Sequence, residues 1–494
     1  MLLFLPLALP FTTAVLTLLA WRTPGLRRTI SLAGALALLV SGGAILARVL
    51  ETGPFAEQAG GWPAPFGITL VADGLAAAFV ALTGLTAVLA LIFARADVTA
   101  AEEHAGFHPL VHAMLAGISG AFLTGDLFNM YVWFEVMLIS TFGLLVIGSG
   151  TLDGAMKYVG LNLIGTVAFI TGVGLLYGTT GALNMADLHA RLMDRADAPV
   201  LVAAALLVFA FAAKAALAPL HFWLPASYHT PAFTTSALFA ALLTKVGVYA
   251  LLRVFSLVFD TPGTPIASLL LGLALVSMLI GCLGALVMPS VRRVLGFSIT
   301  ASIGAMVLGL AVGTPLALAA AVLYAGQDVL VKAGLFLGAG AIHRTTGSED
   351  LARSGGLWRG QPFVALLILV PALALAGMPP FSGFWPKLML VRATLEAGEG
   401  WLAAAVLVMG LLTLIAMARV WADAVWAAGP AEATPARLPA AMLVPLAVLA
   451  VLVVAAGIWA GPLVAFAETV AGQILDPTAY IAAVMGQPVA GGTP

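Results

Sequence analysis

Apolar runs of membrane-spanning length follow one another along this chain, divided only by short polar stretches. A helix needs about 20 apolar residues to cross the hydrocarbon core of a bilayer. On that measure the pattern predicts fourteen spans, at roughly 2–21, 30–49, 69–94, 107–124, 130–149, 157–179, 199–219, 233–257, 266–288, 294–312, 316–342, 361–396, 402–427 and 439–468. The first run, MLLFLPLALPFTTAVLTLLAW, lacks the basic start and small-residue cleavage site of a signal peptide, so it reads as a retained helix. The longest polar stretches, near 180–198 and 343–360, leave no room for a soluble domain. The expected fold is an all-α polytopic membrane protein.

Two of the predicted spans are interrupted in similar ways. APLHFWLPASYHTPA brings Pro219, Pro225 and Pro231, and AGMPPFSGFWPK brings Pro379, Pro380, Gly383 and Pro386. Proline within a spanning helix removes a backbone hydrogen bond and breaks or kinks it. Such breaks at membrane depth persist only where protein or a cavity surrounds them, and paired breaks point to internal repeats. Pro219 and Pro380 are 161 positions apart, about five spans. The expected organisation is therefore residues 1–106 (spans 1–3), a first repeat 107–257 (spans 4–8), a second repeat 258–427 (spans 9–13), and 428–494 (span 14 and tail). Five spans per repeat invert the second against the first.

Against this apolar background five ionisable residues stand out. Lys214 lies in VFAFAAKAALAPL, Lys245 in AALLTKVGVYALL, Lys332 in VLVKAGLFLG, Lys387 in FWPKLMLV, and Glu135 in MYVWFEVMLIS. A charge at bilayer depth costs roughly 2.5–3.5 kcal/mol on insertion scales, and it marks a path for protons or ions by default. Four of them, all but Lys387, also have a structural alternative. Glu135 fits an interfacial aromatic belt. Lys214 can snorkel or bond carbonyls freed at the first break, an escape that is harder for Lys245, which has no break beside it. Asp328 precedes Lys332 by four residues, so the two can meet on one helix and neutralise each other. Tyr324, Gln327, Ser298, Thr300 and Ser302 are polar at similar depth and suit a water chain. His221 and His229 flank the first break and suit proton uptake or capping. His343, beside Arg344, fits either class.

Composition narrows the function. The chain has 494 residues, 62% of them hydrophobic and 9% charged, with mean hydropathy +1.10. That is far below the roughly 25% charged residues of a soluble protein. A net charge of -1 gives no reason to expect a nucleic acid. The single cysteine, Cys282, cannot form an internal disulfide, and no cluster suits a metal or iron–sulfur centre. No nucleotide loop, nucleophile or redox ligand set is present, so the expectation is a transporter, not an enzyme, and no cofactor. Hard cations prefer oxygen ligands, yet only Glu135 and Asp328 offer carboxylates at mid-membrane.

Orientation follows from lysine and arginine outside the spans. Odd-numbered loops and adjoining ends carry Arg22, Arg27, Arg28, Arg95, Lys157, Arg292, Arg293, Arg344, Arg353, Arg359, Arg419 and Arg437. The even loops carry Arg48, Arg191, Arg195, Arg253 and Arg392. The bias places the odd loops in the cytoplasm and both termini outside.

The segments GDLFNMYVWFE, FAAKAALAPLHFWLPASYHTPAFTTSALFAALLTKVGVYALLR and AGMPPFSGFWPK resemble the antiporter-like subunits shared by Mrp-type multisubunit cation/proton antiporters and respiratory complex I. The resemblance covers nearly the whole chain. It implies a central proton axis on Glu135, Lys214, Lys245 and Lys387. Within that family, ETVAGQILDPTAYIAAVMG is similar to the D-type subunit of Mrp Na⁺/H⁺ antiporters. The resemblance thus implies a bacterial cell membrane, partners of the A, B, C, E, F and G types, and exchange of H⁺ for Na⁺, with K⁺ or Li⁺ as other candidate cations. The alternative is a proton-pumping subunit of a redox complex such as complex I or a membrane-bound hydrogenase. One departure stands out: many relatives carry a histidine where this chain has Gln327.

Overall fold

The computed structural model describes residues 1–148, 152–193, 195, 197–259, 263–428 and 437–486. Residue 149 of the fifth predicted span, and 429–436 and 487–494 of the expected C-terminal unit, lie outside the described residues. Helices α1 (Leu5–Leu19) and α2 (Pro24–Thr52) lead into a short antiparallel hairpin, β1 (Phe55–Gln58) and β2 (Thr69–Ala72), with Phe55 opposite Ala72. Then come α3 (Gly74–Asp97), α4 (Ala100–His104), α5 (Phe107–Leu123), α6 (Leu127–Gly148), α7 (Asp153–Thr180), α8 (Met185–Leu192), α9 (Ala198–Ala215) and α10 (Trp223–Ser227). Helices α11 (Phe233–Leu238) and α12 (Thr244–Leu257) form one span with a π turn, Phe239–Leu243, between them. The chain continues through α13 (Pro265–Val287), α14 (Val291–Val312), α15 (Pro315–Thr346), α16 (Leu357–Gly360), α17 (Pro362–Ala376), α18 (Phe384–Glu396) and α19 (Gly400–Val420). It closes with α20 (Ala440–Ile458), α21 (Ala460–Leu475) and α22 (Thr478–Met485).

Among the described residues, twelve helices are long and apolar enough to cross a membrane, and Phe107–Leu123, Pro362–Ala376 and Ala460–Leu475 are shorter apolar helices. Of the predicted boundaries that move, three do so for a clear local reason. The third helix starts at Gly74, not 69, because Asp73 caps it by accepting from the Ala76 amide at 2.9 Å, while Thr69–Ala72 pair as a strand. Helix α9 stops at Ala215, where Ala216 turns left-handed at φ 62°. The last predicted span, 439–468, divides at Trp459, which leaves helical backbone and starts α21.

Helix α15, 32 residues long, is the hub. It packs against α3, α11, α14, α17, α18, α20 and α21, so both broken helices reach it through at most one intermediate. The span Phe233–Leu257 is enclosed along nearly all its length and lies against α9 and α15. Its closest approach is at Gly247, where a Cβ would run into the Ala215 backbone. That contact fixes the end of α9 beside α12.

At one edge the two ends of the chain meet. Glu57 of β1 accepts from the Leu2 and Leu3 amides at 2.9 and 3.1 Å. Burial alone would raise this carboxyl, but the N-terminal amine and those amides hold it below the usual range. Gln58 Nε2 donates to Val484 O of α22. Nearby, Arg253 pairs with Asp73 at 2.5 Å and lies 4.9 Å from the centre of the Tyr480 ring.

Candidate functional site

Lys214 occupies the last turn of α9, one residue before the helix ends. Its amine is buried and makes no hydrogen bond. The Phe134 ring lies 5.8 Å away, and the Glu135 charge acts on it without closing to a salt bridge. The break below is held by other groups. The Trp223 indole donates to Ala213 O at 3.0 Å, and Ser277 Oγ accepts from the Ala218 amide at 2.8 Å. Polar groups freed by the break are thus satisfied by their neighbours, while the lysine is left over. Glu135, on α6, is half-buried and accepts a 2.6 Å bond from the Thr166 hydroxyl of α7.

The centre is tighter. Lys245, Asp328 and Lys332 are all fully buried. Asp328 Oδ2 lies 2.7 Å from Lys245 Nζ, whereas Oδ1 lies 4.0 Å from Lys332 Nζ. The sequence places Asp328 and Lys332 on one helix at pairing distance, but the nearer partner comes from across the bundle. The π turn explains how. It ends at Leu243, just before Lys245, and Lys245 Nζ donates to Ala240 O within it at 2.9 Å. The span is therefore widened but unbroken beside Lys245, in a run with no proline to announce the irregularity. Lys332 is secured differently, donating to Ser298 Oγ at 2.8 Å, which in turn donates to Leu295 O at 2.7 Å. Tyr324 is buried beside Ser302 and Asp328, and Gln327 accepts from Ser382 Oγ at 3.3 Å.

Lys387 lies near the start of α18. Its stem passes over Gly377, the left-handed residue that ends α17 at φ 87°, and Nζ donates to Leu375 O at 2.7 Å. This lysine is satisfied by a carbonyl that the broken helix leaves free. The charges of Lys245 and Lys387 both act on Lys332, and Cys282 sits within reach of Lys332 and Lys387.

The histidines divide. His221 and His229 line an open cavity of about 420 Å³ with Asp153, Lys157 and Arg293. Arg293 can only donate, so its 3.1 Å contact makes His229 Nε2 an acceptor, and Nδ1 carries the hydrogen given to Pro225 O at 2.9 Å. Burial, then Arg293 and Arg292, hold this imidazole below its usual range, and burial does the same to His221. His343 stands apart. It is exposed, and its ring packs against Phe233 at 5.2 Å.

Several groups were not legible as a set in the sequence. Glu103 of α4 is buried among Arg27 at 3.2 Å, Arg28 at 2.7 Å and His108 at 3.4 Å, and His112 contacts Ser31 at 3.0 Å. Burial alone would raise the Glu103 carboxyl, but Arg28 and His108 together hold it low. Arg27, counted above as a loop charge, is fully buried. No spacing rule brings residues 27, 31, 103 and 108 together. The helix packing does.

Residues 124–413 match the family described as NADH:quinone oxidoreductase/Mrp antiporter, transmembrane. The chain is 40% identical over 489 residues to the D-type subunit of a Na⁺/H⁺ antiporter from Alkalihalophilus pseudofirmus, covering 98% of this chain and 99% of that one. Among solved structures it resembles a chain of the Mrp complex from Dietzia sp., with 33% identity, a TM-score of 0.91 and coverage of 98% and 99%. It also resembles a chain of the membrane-bound sulfane sulfur reductase, an archaeal respiratory membrane complex, with 28% identity, a TM-score of 0.91 and the same coverage. The match spans Glu135, Lys214, Lys245, Asp328, Lys332 and Lys387 alike, and the chain belongs to the NADH:quinone oxidoreductase/Mrp antiporter transmembrane family.

Proposed function

We propose that this chain is the proton-translocating membrane subunit of a multisubunit Na⁺/H⁺ antiporter, and that protons move along a buried axis through Glu135, Lys214, Lys245, Asp328, Lys332 and Lys387. The similarity to a D-type antiporter subunit supports the class. One observation carries the mechanism: the Lys245–Asp328 ion pair, fully buried, bridges the α12 and α15 spans, with Lys332 sharing the same carboxylate from 4.0 Å. A proton on Lys214 creates an ammonium with no fixed partner, balanced at a distance by Glu135. A proton on Lys245 is balanced by Asp328 at once. If Asp328 turns from Lys245 toward Lys332, the balancing charge passes between the two halves by a side-chain movement alone. That is a two-state element of the kind that coupling needs.

The pocket of His221 and His229 supports uptake from the predicted cytoplasmic side, with both termini outside. Inward proton flow along the axis drives outward cation movement. Partners are the remaining subunits of the assembly, A, B, C, E, F and G type. Glu135→Ala, Lys214→Ala and Lys245→Ala should each abolish antiport in inverted membrane vesicles while protein level holds. Normal antiport in all three sinks the axis.

The equal structural likeness to a sulfane sulfur reductase chain favours a second reading, a proton-pumping subunit of a redox complex. Purification from its native membrane separates the two. Small antiporter subunits in the complex support the first reading, and iron–sulfur proteins support the second.

A further inference from the structure

Threonines inside the spanning helices of this chain usually turn their hydroxyls back onto their own helix. Thr83 donates to Phe79 O, Thr141 to Met137 O, Thr171 to Val167 O, Thr345 to Ala341 O and Thr413 to Met409 O, all four residues earlier. This local bond is the default for a threonine that water does not reach. Thr166 departs from it. Its buried hydroxyl leaves the Asn162 carbonyl and reaches across from α7 to α6, donating to Glu135 Oε1 at 2.6 Å.

The carboxylate needs holding. Glu135 is half-buried, and the residues flanking it one turn away, Val132 and Ile139, are 39% and 68% exposed. On α7, Leu163 and Val167 beside Thr166 are also exposed, at 51% and 59%. The side chain therefore has two ways to lie, inward toward Lys214 or outward across the outer surface of α6 and α7. Thr166 is the side-chain donor on the inward side.

We infer that Thr166 is a positioning residue for Glu135, keeping its carboxyl turned toward Lys214. A hydroxyl is both donor and acceptor. It donates to the ionised carboxylate and can accept from the protonated acid, so the same contact serves both states that a proton carrier passes through. This inference rests on the role of Glu135 in the proposed axis.

The test uses the intact antiporter complex in liposomes, with Thr166→Val and Thr166→Ser. Valine keeps the shape and removes the hydroxyl, and serine keeps the hydroxyl. The probe is dicyclohexylcarbodiimide, a lipid-soluble reagent that adds to protonated carboxyl groups. Labelling is read by mass spectrometry on the peptide that carries Glu135, with Glu135→Gln as the blank. Thr166→Val should raise labelling and lower antiport, each by roughly ten-fold, the size of a lost hydrogen bond to a charged group. Thr166→Ser should restore both. Unchanged labelling in Thr166→Val overturns the inference whatever transport does. Raised labelling with normal antiport overturns it as well, because the held position would then not serve transport. If Glu135→Gln itself transports normally, the axis fails, and the labelling still reports whether Thr166 holds the carboxyl.

Discussion

The two broken helices carry the same residue type beside the same kind of interruption, and they treat it in opposite ways. At the first break the freed backbone is satisfied by Trp223 and Ser277, and Lys214 is left without a partner. At the second, Lys387 itself satisfies the freed Leu375 carbonyl. The residue after each helix end is left-handed in both, but it is Ala216 in one and Gly377 in the other. Glycine is required at 377 because the Lys387 stem crosses where a Cβ would stand, while at 216 the left-handed turn is made by an alanine. An unpartnered buried amine is costly, by about 1–3 kcal/mol. A partnered one is part of the fold. Lys214 is thus held at a cost, whereas Lys387 is satisfied in this conformation.

That contrast can be broken by experiment. The largest effect should come from Asp328→Asn, which removes the counter-charge facing both Lys245 and Lys332. A buried charge without its partner costs roughly 3–5 kcal/mol, so thermal stability and antiport should both collapse; survival of either would detach the centre from the two regions it joins. Next, Lys214→Met and Lys387→Met should move stability in opposite directions. The first removes an unsatisfied amine and should stabilise by about 1–3 kcal/mol, and the second orphans a carbonyl and should destabilise by about 1 kcal/mol. Thermal unfolding of the purified complex reads both, and shifts of one sign would end the comparison. Gly377→Ala places a Cβ against Lys387 in a left-handed backbone, which costs about 1–2 kcal/mol before the collision is counted. Antiport should fall with it. Smallest is Ala216→Gly, a gain of under about 1 kcal/mol from relieved backbone, offset in part by glycine's flexibility. Transport should be unaffected.

Much of this was legible in the pattern of apolar runs. Proline announced both interruptions, and costly charges announced the lysines, because each breaks a local rule that a bilayer enforces. What stayed hidden lacks a local signature. The π turn before Lys245 lies in FAALL, which any helix would accept. The pairing of Asp328 depends on which helix faces α15, so the four-residue spacing to Lys332 named the farther partner. Thr166 looks like any other threonine in a span until its neighbour across the helix boundary is known. Cys282, in the sequence only a lone cysteine, feels the charges of Lys332 and Lys387 for the same reason.

The small hairpin at the edge of the bundle has a consequence for how the chain is made. Its first strand is anchored to residues 2 and 3, and Gln58 beside it waits for Val484. Arg253 and Asp73 likewise wait for Tyr480. The ribosome delivers α22 only after the spanning helices before it have been made. A nascent chain stopped before Thr478 would leave this corner open, and cells should clear it faster than the finished protein in a pulse-chase. The hairpin would then register the arrival of α22, closing only after the spanning helices that precede it have been made.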